Sequence, residues 1–184
     1  ARDPKSSIID GIIGIDFGTK STVVAYQENN TDIHLMRVGI TDHTKAPEIY
    51  HYENPTIIEF NNILQFLKDY KSSDGRPLTK WRDLTISHTA ASSLNNSKSN
   101  DFNTFLSELK QWAGTKGKKL KIKDKKDFVL DIDAFLDIKE EDFNPIEIYA
   151  YMLGLNINNQ RNGIYLNYIL SFPVTYELEI RDKI

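Results

Sequence analysis

The segment Gly14-Ile15-Asp16-Phe17-Gly18-Thr19-Lys20-Ser21-Thr22 concentrates residue types that can handle phosphate. An apolar run, Ile12 to Phe17, carries a single acidic residue near its end, and a Gly-Thr turn leads straight into a second run. Glycine at position 18 lets the backbone approach a ligand closely and adopt conformations closed to other residues. Successive turn N–H groups, with the Thr19 hydroxyl, can form a concavity for phosphate oxygens. Asp16, at the strand end, is placed to orient a hydrated divalent cation on those phosphates. The spacing is not that of a Walker A loop, which needs Gly and Lys adjacent, because Thr19 separates Gly18 from Lys20. Nor do Gly11, Gly14 and Gly18 have the dinucleotide-binding spacing.

Elements that could position this turn are readable on both sides of it. Ile12 to Phe17 reads as a strand buried on both faces. Thr22 to Tyr26 and Ile33 to Val38 follow as strands, joined by turn-like connections, so consecutive antiparallel hairpins are expected. Residues 39–54 read as a connector. Thr56–Phe60 and Ile63–Leu67 flank Asn61-Asn62, which predicts a tight hairpin. Residues 68–85 read as a polar insertion with Ser72-Ser73-Asp74-Gly75 at its tip. Phe102, Phe105, Leu106, Leu109 and Trp112 have helical spacing, with Gly114 as the stop and the aromatic residues as core. Asn144-Pro145-Ile146-Glu147 predicts a capped helix whose apolar face is Ile146, Tyr149, Ala150, Leu153 and Ile157, with Gly154 inside it. Tyr165–Phe172 reads as a further strand ended by Pro173.

Composition excludes several classes. The chain has 184 residues, 40% hydrophobic and 11% aromatic, with nine Gly and six Pro. That content is too apolar for disorder throughout and too poor in Gly and Pro for a collagen-like or low-complexity chain. With no cysteine, thiol catalysis, disulfides and cysteine metal sites are excluded. The formal charge of −3 gives no general attraction to nucleic acid. No apolar run reaches the roughly 20 residues of a membrane-spanning helix, and Ala1–Ser7 lacks the apolar centre of a secretory signal. The expectation is a soluble, cytoplasmic protein that binds neither nucleic acid nor membrane.

Gly14-Ile15-Asp16-Phe17-Gly18-Thr19 resembles the first phosphate-binding motif of the actin-like ATPase superfamily. Asn54-Pro55-Thr56-Ile57-Ile58-Glu59-Phe60 is similar to the Pro-Ser/Thr-aliphatic strand of its seventy-kilodalton heat-shock chaperone branch. Phe172-Pro173-Val174-Thr175-Tyr176, with Arg181 following, is similar to that branch's strand-Pro-aromatic segment. The Asn144 helix and its strand come in the matching order. The resemblance implies an α/β, ribonuclease-H-like first lobe: a mixed sheet with a smaller α/β subdomain inserted. On that basis residues 1–7 are a polar leader, 8–40 and 164–184 the core sheet subdomain, and 41–163 the insertion.

The same resemblance implies ATP/ADP and Mg²⁺ as cofactors, with peptide clients and co-chaperones as partners. Asp16 would act catalytically and hold the metal through water, while Gly18, Thr19, Lys20 and Ser21 hold phosphates. The family's γ-phosphate lysine falls at Ser92 in this alignment, and Lys98 lies six residues away. The family's catalytic Glu, second phosphate loop and adenosine-binding segment would follow Ile184, so this chain is expected to be one wall of a cleft and inactive alone. A small-molecule (sugar) kinase of the same superfamily and a non-hydrolysing pseudo-ATPase interaction module are the alternatives.

Other features have ordinary explanations. Residues 116–126 hold seven Lys and one Asp, and Lys119, Lys121 and Lys123 alternate with Leu120 and Ile122. That pattern predicts a half-exposed strand whose basic face pairs with the acidic stretch 127–147. No aromatic residues interleave it for nucleic-acid stacking. The histidines at 34, 43, 51 and 88 lack metal-ligand spacing, and the sequons at Asn29 and Asn95 mean little without a secretory signal.

Overall fold

A computed structural model describes residues 4–29, 31–40, 44, 46–72, 77–171 and 176–184. The first half contains strands β1 (Gly11–Phe17), β2 (Ser21–Glu28), β3 (His34–Met36), β4 (Asn54–Pro55) and β5 (Ile58–Phe60), helix α1 (Ile63–Tyr70), strand β6 (Leu84–Ile86) and helix α2 (Ser87–Asn95). The second half contains β7 (Phe105–Leu106), α3 (Leu109–Ala113), β8 (Leu120–Lys123), β9 (Val129–Ile132), α4 (Pro145–Arg161), β10 (Asn167–Ser171) and α5 (Leu178–Lys183). The chain is thus α/β, with a mixed sheet. β1 and β2 pair antiparallel as expected, β3 pairs antiparallel with β2, and β10 lies parallel to β1 at the sheet edge. Phe172 and Pro173 lie outside the described residues. No helix among the described residues is long and apolar enough to cross a membrane.

Asn54 explains why a connector can end in this sheet. Its amide donates to the Thr22 and Met36 carbonyls at 3.0 Å each, and its oxygen accepts from Val38 N–H at 2.6 Å. One fully buried side chain therefore ties β2, β3 and β4 together without an unsatisfied polar atom. Beyond it, β6, β5 and β7 form a separate three-stranded sheet, and β8–β9 form a two-stranded hairpin. Core side chains from both sheets and from α1, α3 and α4, including Ile13, Phe17, Phe60, Phe66, Trp112 and Tyr149, make one continuous cluster.

Several local expectations are overturned. β1 is not buried on both faces, because Ile12 and Asp16 are exposed. Ile63–Leu67 is not the second strand of a hairpin but the start of α1, with Asn62 as its cap accepting from Gln65 N–H. Ile63, Phe66, Leu67 and Tyr70 recur at helical spacing and pack on the core. The first free N–H of α1, that of Ile63, is taken by buried Asp124 at 2.8 Å. Likewise, residues 102–112 are not one helix. A 3₁₀ turn over Ser99–Thr104 leaves Phe102 exposed, Phe105–Leu106 join β5 as a strand, and only Leu109–Ala113 is helical. Pairing with β5 outweighs the helical spacing of a few apolar residues.

The second helix forms where its start signals place it, with Asn144 accepting from Ile146 N–H and Pro145 in the first turn. Glu147 does not close a capping box; it accepts from the Tyr70 hydroxyl at 2.5 Å. Ala150 faces solvent, while Ile148 and Met152 join the buried face. At the far end, Arg161 grips Glu28 through two hydrogen bonds of 3.0 and 2.8 Å and covers the Tyr26 ring. The Tyr165 hydroxyl donates to the same carboxylate. The Arg161 and Tyr165 bonds hold the Glu28 carboxyl below its ordinary value.

The lysine strand is paired as expected: Lys119 with Asp133, Lys121 with Asp131, and Lys123 with Asp127. These exposed pairs contribute little. The hairpin docks instead through its turn. Asp124 accepts from Ile63, Lys126 and Phe128 N–H, and Lys125 donates to buried Glu59 on β5.

Three substitutions test this framework. Ser87 adopts φ 57 at the start of α2, with a buried hydroxyl that lacks a hydrogen-bond partner. Glycine removes both penalties, so Ser87→Gly is expected to stabilise by about 1–2 kcal/mol. A Cβ at Gly154 meets nothing within 4 Å, and Gly154→Ala is expected to add about 1 kcal/mol. Urea denaturation measures both, and loss of stability in either contradicts the local geometry. Because the Glu28 carboxyl is held low, its contribution is complete above its ordinary value and disappears as pH falls through the folded one. Glu28→Gln should therefore flatten the acid limb of the stability–pH profile, from the ordinary glutamate value of 4.5 downward.

Candidate functional site

β1 and β2 meet at a turn with no room to spare. A Cβ built on Gly18 would lie 2.1 Å from the Ser21 carbonyl oxygen, backbone that cannot yield. Glycine is therefore required by the turn itself, independently of any ligand. The turn carbonyls are then taken one after another. The Phe17 carbonyl accepts from Lys110 Nζ at 2.8 Å, the Gly18 carbonyl from the Thr56 hydroxyl at 3.0 Å, and the Lys20 carbonyl from Thr56 N–H at 2.9 Å. A trans peptide is planar, so fixing a carbonyl also fixes the N–H that follows it, pointing the other way. The Gly18, Thr19 and Ser21 amides are oriented by these three grips. Among the described residues no turn or loop carbonyl accepts from the Gly18, Thr19 or Lys20 N–H groups.

Asp16 is exposed near the end of β1 and accepts from the Ser171 hydroxyl at 2.5 Å. Ser171 ends β10, so the parallel pairing itself orients the carboxylate. Thr19 and Ser21 are partly exposed, and the Lys20 side chain is exposed. Asp16, Gly18, Thr19, Lys20 and Ser21 thus share one short stretch at one end of the sheet. Among the described residues, no group of three or more His, Asp or Glu side chains could hold a metal ion directly.

Ser92 is exposed on α2, whose hydrogen bonds among the described residues go to Val38, Gly39, His51 and Ile57 rather than to the turn; Lys98 is exposed beyond it. Besides Lys20, a second cation reaches the turn: Lys110, on α3, a position the sequence places only within a helix. Its segment is held from the other side. The Tyr176 hydroxyl donates to the Lys110 carbonyl at 2.6 Å, and the Tyr176 ring lies where a Cβ on Gly114 would fall, 2.9 Å away. Arg181 Nε in turn donates to the Tyr176 carbonyl at 2.9 Å. The aromatic and the arginine of the strand-Pro-aromatic segment therefore brace the lysine helix; Phe172–Thr175 lie outside the described residues. The only signal that could have found Lys110 was a lysine at the start of a short helix ended by glycine, which is not specific.

Compared with known proteins, the sequence matches no family model and no curated relative.

Gly18→Ala should cost about 1–3 kcal/mol through overpacking against Ser21. Thermal unfolding without any ligand measures it, and an unchanged midpoint would contradict the turn geometry.

Proposed function

We propose that this chain is the phosphate-holding lobe of an actin-like ATPase of the heat-shock chaperone type. The observation that carries the reading is Lys110: a cation brought by a remote helix to the carbonyl that precedes Gly18, one residue from Asp16. A carboxylate at a strand end, unspent turn amides and a lysine supply the parts that phosphate binding needs. Anionic oxygens would accept from the Gly18 and Thr19 N–H groups and the Thr19 hydroxyl. Lys110 would keep its grip on the Phe17 carbonyl and so hold the Gly18 N–H toward the anion, a charged support for the turn that Ser92 does not supply.

Magnesium bound with the nucleotide would neutralise charge on its phosphates, and Asp16 would hold it through water. By the same resemblance, peptide clients and co-chaperones are the proposed partners of the ATP cycle.

Titrating the chain with ATP and magnesium, followed by amide NMR, tests the reading. Resonances of Gly18 to Ser21 should shift, and Lys110→Ala should weaken binding about tenfold or more, as loss of one charge-assisted hydrogen bond predicts. Ser92→Ala and Lys98→Ala should leave it unchanged. Shifts confined to other parts of the chain would overturn the assignment.

A further inference from the structure

Behind the turn lies a row of buried hydroxyls. Tyr149 on α4, Thr22 on β2 and Thr56 beyond β4 are all almost fully buried. The Tyr149 hydroxyl donates to Thr22 Oγ1 at 3.1 Å, Thr22 Oγ1 lies 2.9 Å from Thr56 Oγ1, and Thr56 Oγ1 donates to the Gly18 carbonyl at 3.0 Å. Each hydroxyl has one proton. That of Thr56 is spent on Gly18, so the proton between the two threonines must come from Thr22. The proton of Tyr149 is accepted by one of the two lone pairs of Thr22. The direction of the whole row is fixed, and it runs from α4 to the turn.

We infer that this one-way relay sets the Gly18 peptide plane, making Tyr149 a positioning residue for the phosphate-binding turn; the inference rests on the phosphate reading above. Tyr149 touches no ligand. Its donation to Thr22 polarises Thr22 as a donor to Thr56, and Thr56 in turn as a donor to the Gly18 carbonyl. Without the phenol that polarisation is lost, so the Thr56 proton divides between Thr22 and the Gly18 carbonyl and the grip on Gly18 weakens. The Gly18–Thr19 plane then rotates, and the Thr19 N–H loses its fixed aim at an incoming anion. Burial pushes the Tyr149 phenol up to about 12, so the donor is retained through the neutral range.

The substitution that isolates this effect is Tyr149→Phe, because the ring remains against Phe17, 5.9 Å between centroids, and only the hydroxyl is lost. Two readouts are needed on the whole chain, with pyrophosphate as the probe. In the ligand-free chain, amide hydrogen exchange of Thr19 to Ser21 should accelerate while β8 and β9 remain unchanged. Pyrophosphate affinity should fall roughly fivefold to tenfold, the size expected for one misaligned hydrogen bond. A relay also makes the substitutions non-additive. Tyr149→Phe combined with Thr56→Val should bind no more weakly than Thr56→Val alone, and Thr56→Ser, which restores the hydroxyl, should bind like the wild type. If Thr56→Val does not fold, Thr22→Val takes its place in the cycle. Additive losses, or unchanged exchange at the turn in Tyr149→Phe, overturn the relay whether or not pyrophosphate binds. A wild-type chain that takes up no pyrophosphate overturns the phosphate reading, and with it the ligand that this turn is held for.

Discussion

Thr56 holds the turn twice, its hydroxyl on the Gly18 carbonyl and its backbone N–H on the Lys20 carbonyl, and the geometry around Gly18 follows from that double grip. The residue sits between two strands of different sheets, just after β4 and just before β5. Its position is in turn set by Asn54, which joins β4 to β2 and β3. Buried side-chain hydrogen bonds of this kind are costly to leave incomplete, which makes them specific. The turn is therefore held rigid by groups that belong to the fold rather than by the turn residues themselves. Lys110 completes the arrangement from a third direction, and Tyr176 braces the helix that carries it.

How much of this could be read in advance depended on how local its causes were. The strand–turn–strand unit around Gly18 was legible because apolar runs and a Gly-Thr step lie within a dozen residues. The start of α4 was legible for the same reason, since Asn144 and Pro145 act on the turn they adjoin. Asn61-Asn62 was ambiguous: asparagine serves both hairpin turns and helix caps, and only the positions of Phe66 and Tyr70 on the core decide for a cap. Residues 102–106 misled because their spacing is helical while β5 offers them a sheet edge. Lys110 was out of reach altogether. Its partner lies 93 residues away, and no periodicity records such a meeting.

Charge was informative about pairing but not about which pairs matter. The alternating lysines of β8 do find acidic partners on β9, yet those pairs lie in solvent. The contacts that hold the hairpin to the rest of the molecule use Asp124 and Lys125 in its turn, against the N-terminus of α1 and the buried carboxylate of Glu59. A buried charge of this kind must keep its partner, since removing one leaves the other unpaired in a poor solvent for ions. The hairpin is thus a buttress for α1 and β5, and its basic face is incidental to that task.

The parallel pairing of β1 with β10 has a consequence for the order of folding. Asp16 and Ser171 are separated by 155 positions in the chain. Bringing such distant segments together costs about 4–5 kcal/mol of loop-closure entropy before any contact rewards it. The β1–β2–β3 meander, by contrast, joins near neighbours and can form as soon as it leaves the ribosome. Asp16 acquires its hydroxyl partner only when β10 arrives, so the carboxylate is oriented at the end of folding. Until then β1 is an open edge, with Ile12 and Ile15 beside unpaired backbone. The waiting time, rather than the finished structure, is when this chain is most exposed to joining strands with its own copies.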